Sequence, residues 1–142
     1  MTSRFTGGCL CGAVAYQGEG APVFCGHCQC VDCRKTSGTG HGSHMAMPEA
    51  AVQLSGDVSS YDRPADSGNM VSRSFCPQCG SALYSTNSGM PGMLFLRASS
   101  LDDPNVFNPQ MVVYTRSGAA WDLIDAQLPA FETMPPPDAM PL

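Results

Sequence analysis

Seven of the eight cysteines fall into three closely spaced groups, and cysteine thiolates are the preferred protein ligands of zinc. The groups are Cys9 and Cys11, then Cys28, Cys30 and Cys33, and finally Cys76 and Cys79. A structural zinc takes four protein ligands, whereas a catalytic zinc takes three and keeps one position open. The two outer pairs supply four thiolates and the central group supplies three. The arithmetic therefore predicts two Zn²⁺ sites, one closed and structural and one open to chemistry.

The outer pairs have the local sequence of a structural metal site. Each is followed directly by a glycine, Gly12 or Gly80, which permits a tight turn of the backbone around a metal. Both pairs also adjoin candidate strands. We therefore expect one zinc on the four outer cysteines to tie the N-terminal strand to the middle of a sheet.

The central group leaves its fourth ligand open. Cys25 or His27 lies close enough in sequence to close the site, which would make the second zinc structural as well. If neither coordinates, the position is free for water or substrate. Cys28, Cys30 and Cys33 are then the candidate catalytic residues as well as metal ligands.

Other polar residues near the central group have two interpretations each. His41 and His44 lie in a glycine-rich stretch, where they are either general bases or solvated loop histidines. Arg34 and Lys35 directly follow Cys33. They either bind an anionic part of a substrate or offset the charge of the thiolates.

Length and charge restrict the class of protein. The chain has 142 residues, which predicts a single domain spanning 1–142. Charged residues are only 13% and the net charge is -5, so there is no basic stripe for nucleic acid. We find no signal peptide and no membrane-spanning run, and expect a cytoplasmic protein without membrane partners. In that reducing compartment, clustered cysteines bind metal more often than they form disulfides.

The elements that must position these residues are short strands. Short apolar runs separated by glycine and proline favour an all-β fold. The candidate strands are residues 13–16, 52–54, 58–61, 69–75, 81–85, 93–97 and 111–114. Gly56 and Asp57 predict a hairpin between the second and third of these. A single helical turn fits residues 34–37, and the proline-rich tail at about 132–142 is expected to lie extended on the surface.

The order of these motifs resembles the glutathione-dependent formaldehyde-activating family, which includes the centromere protein V-like proteins. The resemblance rests on residues 8–14, 28–35 with Gly38, 73–81 and 101–104, and on Trp121, Leu128, Pro129 and Phe131. It implies a β-tent zinc fold, a structural zinc on the outer cysteines and thiol-adduct chemistry at Cys28, Cys30 and Cys33. The chain departs from the family at Gln29, where a histidine is usual, at Ser99 and Ser100, and in having the additional Cys25.

The ligand set indicates the chemistry. Zinc on three thiolates is electron-rich and acidifies water poorly, whereas an incoming thiol is a good fourth ligand that zinc keeps deprotonated. We therefore predict a carbon–sulfur lyase that forms or cleaves thiol–aldehyde adducts, with a small aldehyde and a small thiol, glutathione or another, as partners. The alternative is a non-catalytic, zinc-stabilised module that binds a protein.

Overall fold

The structure is a computed structural model that describes residues 3–139. These residues form ten strands and one α-helix. The elements are β1 (Arg4–Gly8), β2 (Ala15–Glu19), β3 (Phe24–Cys28), α1 (Val31–Ser37), β4 (Gly42–Pro48), β5 (Val52–Ser55), β6 (Ser59–Pro64), β7 (Met70–Phe75), β8 (Ala82–Asn87), β9 (Met93–Arg97) and β10 (Met111–Val113). The predicted all-β class is confirmed. Within residues 3–139, no helix has the length and apolar character needed to cross a membrane.

The strands form two sheets. The small sheet has the order β1-β2-β5, and the large sheet has the order β10-β3-β4-β9-β8-β7-β6. Neighbouring strands run antiparallel throughout, except that β10 lies parallel to β3. Consecutive strands of an antiparallel sheet need only short connections, which suits the frequent glycines and prolines.

The main core lies between the two sheets. Phe5 and Tyr16 of the small sheet pack with Met45 and Met47 of β4 and with Leu96 of β9. Side chains alternate along a strand, so the residues between these in β4 and β9 point to the opposite face of the large sheet. That outer face carries the candidate site.

The hairpin predicted around Gly56 and Asp57 is wrong. Both flanking strands exist, but β5 pairs with β2 in the small sheet and β6 pairs with β7 in the large sheet. Gly56 has φ +95° and lies against the backbone of Ala13 and Val14. The turn therefore carries the chain from one sheet to the other instead of folding it back on itself.

The helix is longer than predicted. It begins at Val31, three residues before the expected turn, because Cys30 caps it: the Cys30 sulfur accepts a hydrogen bond from the Cys33 amide at 3.2 Å. Gly38 ends the helix in the left-handed conformation with φ +79°. Two of the three central cysteines therefore lie within the first helical turn.

The glycine-rich stretch expected to be a loop instead enters the central strand β4 at Gly42. A Cβ at Gly42 would lie 3.3 Å from Cys33 Cβ and 2.8 Å from His44 Nε2. The glycine lets helix α1 pack closely on the sheet, so its presence here reflects close packing and not flexibility.

The C-terminal segment is partly bound to the fold. The Phe131 amide donates to the Val112 carbonyl at 2.9 Å, and Ala130 forms a parallel bridge with Val112. Further along, Pro135 is buried and Pro137–Ala139 form a 3-10 turn, which differs from the extended surface path expected for the tail. Residues 140–142 of that predicted tail lie outside the described residues.

Candidate metal centres and an adjoining cavity

The structure brings the four outer cysteines together. The sulfur of Cys11 lies 3.7 Å from the sulfurs of both Cys9 and Cys76, and all four sulfurs, including that of Cys79, lie within 4.8 Å of one another. A tetrahedral zinc with sulfur at about 2.3 Å has sulfur–sulfur edges of about 3.8 Å. The donor set and its spacing fit a structural metal.

This four-cysteine group joins the two sheets. Cys9 and Cys11 lie in the turn between β1 and β2, whereas Cys76 and Cys79 lie in the turn between β7 and β8. The connection is reinforced by the Leu10 amide, which donates to the Ser81 hydroxyl at 3.0 Å. A metal here would therefore stabilise the contact between the sheets, as well as each turn.

Backbone amides and a hydroxyl group point at three of the four sulfurs of this group. The Val14 amide donates to the Cys9 sulfur at 3.2 Å, and the Gln78 amide donates to the Cys76 sulfur at 3.4 Å. A hydrogen bond with the Ser81 hydroxyl lowers the pKa of Cys79 to about 5. Donors directed at sulfur stabilise the thiolate, which is the form that binds metal.

The three central cysteines also converge. Cys28 ends β3, Cys30 caps helix α1 and Cys33 lies in its first turn, and their sulfurs lie within 4.8 Å of one another. Hydrogen bonds from Cys28 and, to a smaller extent, from Cys33 lower the pKa of the Cys30 thiol. The pKa of Cys28 is raised, because Cys28 is the donor in its hydrogen bonds with Cys30 and Cys33. The group holds one thiolate readily and needs a cation before all three ionise.

Neither Cys25 nor His27 belongs to this group. Among residues 3–139, the potential ligand atoms that cluster here are the three sulfurs alone. Cys25 is buried in the core between the sheets. His27 points to the same face as Cys25, and its Nδ1 lies 2.9 Å from the Ser43 hydroxyl. Alternation along β3 turns both side chains away from the outer face that Cys28 occupies.

His44 lies beside the group without completing it. Its Nε2 is 3.4 Å from the Cys33 sulfur, and its Nδ1 is buried without a hydrogen-bond partner among the described residues. Burial, followed by the positive charge of Arg97, lowers the pKa of His44 to about 3, so the imidazole is neutral. With the proton on Nε2, it donates toward the sulfur.

His41 is not a solvated loop residue, because it is paired. Its Nδ1 lies 2.9 Å from the carboxylate of Asp122, which also accepts a hydrogen bond from the Gln29 amide at 3.0 Å. Burial alone would raise the pKa of Asp122, but the hydrogen bonds from Gln29 and His41 lower it. The His41 ring packs edge-on against His27 with centroids 4.7 Å apart. Sequence reasoning missed Asp122, because nothing in its local sequence connects it with His41.

A cavity of about 190 Å³ opens beside the three central cysteines on the outer face of the large sheet. Cys28 and Cys33 form part of its wall, and most of the remaining wall is apolar. Neither Arg34 nor Lys35 lines it; the cation in the wall is Arg73 of β7. Arg73 belongs to the family motif of residues 73–81, but its place in the cavity was missed because strand register is not visible in the sequence.

The glutathione-dependent formaldehyde-activating enzyme model matches residues 4–117. The chain belongs to this family. The matched region contains all seven clustered cysteines and every strand. The predicted family membership is confirmed, and both cysteine groups inside the match could hold a metal ion.

A solved structure has a similar fold. The crystal structure of a Rhodobacter sphaeroides protein superposes with a TM-score of 0.57 and 15% sequence identity. The match covers 89% of this chain and 98% of that one. The likeness supports the fold.

Proposed function

We propose that this protein is a zinc-dependent enzyme that forms, or in reverse cleaves, adducts between a thiol and an aldehyde. The observation that carries the proposal is the incomplete ligand set of Cys28, Cys30 and Cys33. Their three sulfurs converge, no fourth protein ligand joins them among residues 3–139, and two of them face a cavity. An open coordination position beside a cavity is the arrangement of a catalytic metal.

The donor atoms suit a zinc that recruits sulfur. When bound, zinc would lower the pKa of a substrate thiol and hold it deprotonated at neutral pH. Three thiolates and one Zn²⁺ carry a net charge of about -1. The buried guanidinium of Arg97 lies close enough to the three cysteines to offset part of this negative charge. It is held against helix α1 by donating a hydrogen bond to the Thr36 hydroxyl at 2.8 Å.

The reaction requires one proton to move and no electrons to be exchanged. A carbon–sulfur bond forms between the thiol sulfur and the carbonyl carbon, and the thiol proton ends on the carbonyl oxygen as a hydroxyl. We assign the proton to His41, whose partner Asp122 also binds the side chain of Gln29, the residue between Cys28 and Cys30. Asp122 accepts a hydrogen bond from His41 Nδ1 and thereby leaves Nε2 free for exchange.

One observation favours the alternative of a protein-binding module. Trp121 and Leu123 are exposed on either side of Asp122, at 67% and 89% of their surface. Exposed apolar residues of this size mark interaction surfaces when they form a patch. The enzyme proposal is preferred because it accounts for the open cysteine group, which a binding module does not need. A cytoplasmic location remains part of the proposal, because small thiols are abundant and reduced there.

NMR exchange spectroscopy tests the proposal. The zinc-loaded protein, incubated with a panel of small thiols and aldehydes, should accelerate adduct exchange for at least one pair. Cys30→Ser should abolish the acceleration while the fold persists, and Cys25→Ser should retain it. No acceleration across the panel would leave the binding module as the better account.

A further inference from the structure

The cavity beside the cysteine group is apolar along most of its wall. Its side chains come from alternate positions of six strands, which place Phe24, Val71, Phe95 and Met111 on the same face of the large sheet. Met90, from the turn after β8, closes one side. An apolar wall favours binding of an apolar ligand, because the apolar surface of the ligand is removed from water.

The cavity leads directly to the proposed metal ligands. Cys28 is paired with Val113 in the sheet, and both line the cavity together with Cys33. If the sulfur of a ligand binds at the cysteine group, the rest of that ligand therefore contacts the apolar wall. The cavity sets the shape and polarity of that body.

Arg73 gives the cavity a single positive charge. Its strand neighbour Ser85 also lines the cavity, whereas no Asp or Glu does. Within residues 3–139, the salt bridges engage Arg4, Arg63 and Arg116 but not Arg73. A half-buried guanidinium without a carboxylate partner is suited to bind one from a ligand.

Glutathione matches this wall poorly. It carries two carboxylates and one ammonium group, and each needs a partner when water is excluded. The cavity offers one guanidinium for the two carboxylates, and neither Asp nor Glu lines it to meet the ammonium. A wall of methionine and phenylalanine side chains would desolvate these charges without compensation.

We propose that the thiol substrate of this protein is a small carboxylate-bearing thiol with an apolar body, whose carboxylate binds Arg73. This inference rests on the proposed function, because it takes the three-cysteine group as the place where the substrate sulfur binds. It assigns the specificity of that site to the outer face of the sheet and not to Arg34 or Lys35.

Two measurements separate binding to the cavity wall from binding to the metal. Calorimetry with 4-methylbenzoate, which has no sulfur, measures binding to the wall and Arg73 alone. Absorption of protein carrying cobalt at the three-cysteine group measures binding of 4-(sulfanylmethyl)benzoate, of phenylmethanethiol and of glutathione through sulfur-to-cobalt bands. We expect the benzoate thiol to bind most tightly of the three.

Substitutions identify the cation. Arg73→Met retains an apolar stem. It should lower the affinity for both benzoates by roughly ten- to a hundredfold, because one charge-assisted hydrogen bond is lost. Arg116→Met, at an exposed arginine outside the cavity, is the matched control and should change neither affinity. Val71→Phe should weaken both benzoates by filling the cavity, and it serves as the test if Arg73→Met does not fold.

The outcomes separate the two proposals. Three results would overturn the assignment of Arg73 while the enzyme proposal stands. The first is equal affinity for the benzoate thiol and phenylmethanethiol, and the second is tighter binding of glutathione than of the benzoate thiol. The third is a loss of benzoate affinity in Lys35→Met but not in Arg73→Met. If no thiol, glutathione included, changes the cobalt bands, the proposed function fails whatever 4-methylbenzoate does.

Discussion

Cys25 and Cys28 lie three residues apart on β3, and their side chains project from opposite faces of the large sheet. Cys25 packs in the core with Met45 and Leu96, whereas Cys28 joins Cys30 and Cys33 at the outer face. The alternation of side chains along a strand keeps them apart however the side chains rotate. A metal at the central group would therefore have three cysteine ligands and not four.

Metal analysis of two single variants tests this separation. Cys28→Ser should remove about one equivalent of zinc, because it deletes one of three ligands. Cys25→Ala should retain both metals and lose only core packing, at a cost of about 1 kcal/mol or somewhat more. Loss of the second metal from Cys25→Ala would show that the thiol reaches the site.

Cys76→Ser should destabilise the whole domain. The four-cysteine group joins the two sheets, so its metal-binding energy contributes to folding. We expect a lower melting temperature and the release of about one equivalent of zinc. Cys28→Ser is the matched comparison, since it loses one metal without breaking the link between the sheets. Unchanged stability of Cys76→Ser would contradict a structural role.

The two metals should leave in a fixed order under a mild chelator. The three-cysteine site has one protein ligand fewer and opens to a cavity, so it should release its metal first. The far-ultraviolet circular dichroism should stay constant during this first loss and change only during the second. Simultaneous release of both metals together with unfolding would argue against the division of roles.

Tyr16 should make the stability depend on alkaline pH. Its hydroxyl lies 2.6 Å from that of Ser100, which donates to the Arg97 carbonyl, so Tyr16 is the donor of the pair. Burial raises the pKa of Tyr16 to about 12, from 10 in the unfolded chain. Its contribution is therefore complete below pH 10 and is lost as the pH rises toward 12.

Urea unfolding across that window measures the effect. The free energy of unfolding should fall by up to about 2 kcal/mol in the wild type. Tyr16→Phe should be less stable at neutral pH by about 1 kcal/mol and should lose most of the alkaline dependence. An unchanged slope in the variant would mean that another group titrates.

The sequence was informative where residues act through local spacing. The two cysteine groups followed from counting and spacing, and the strands at β7, β8 and β9 followed from their apolar runs. The exclusion of Cys25 did not follow, because β3 was not recognised and its alternation could not be applied. Gly42 resembled a loop residue, since its close contact with Cys33 is visible only in three dimensions.

The cavity could not have been predicted from any single segment. Its wall takes residues from β3, β4 and the strands β7 to β10, each chosen by register in the sheet. The pairing of Arg73 with Ser85, and of Ser85 with Phe95, sets that wall, and register between distant strands has no local sequence code. The same reason explains why His41 and Asp122, 81 residues apart, were not connected.

The central claim is that Cys28, Cys30 and Cys33 hold a metal whose fourth position accepts a substrate thiol. X-ray absorption at the cobalt edge tests it directly, in protein whose three-cysteine site alone carries cobalt. We predict three sulfur neighbours and one lighter atom in the free protein, and four sulfur neighbours after addition of a substrate thiol. Four protein ligands before addition, or a spectrum that no thiol changes, would contradict the claim.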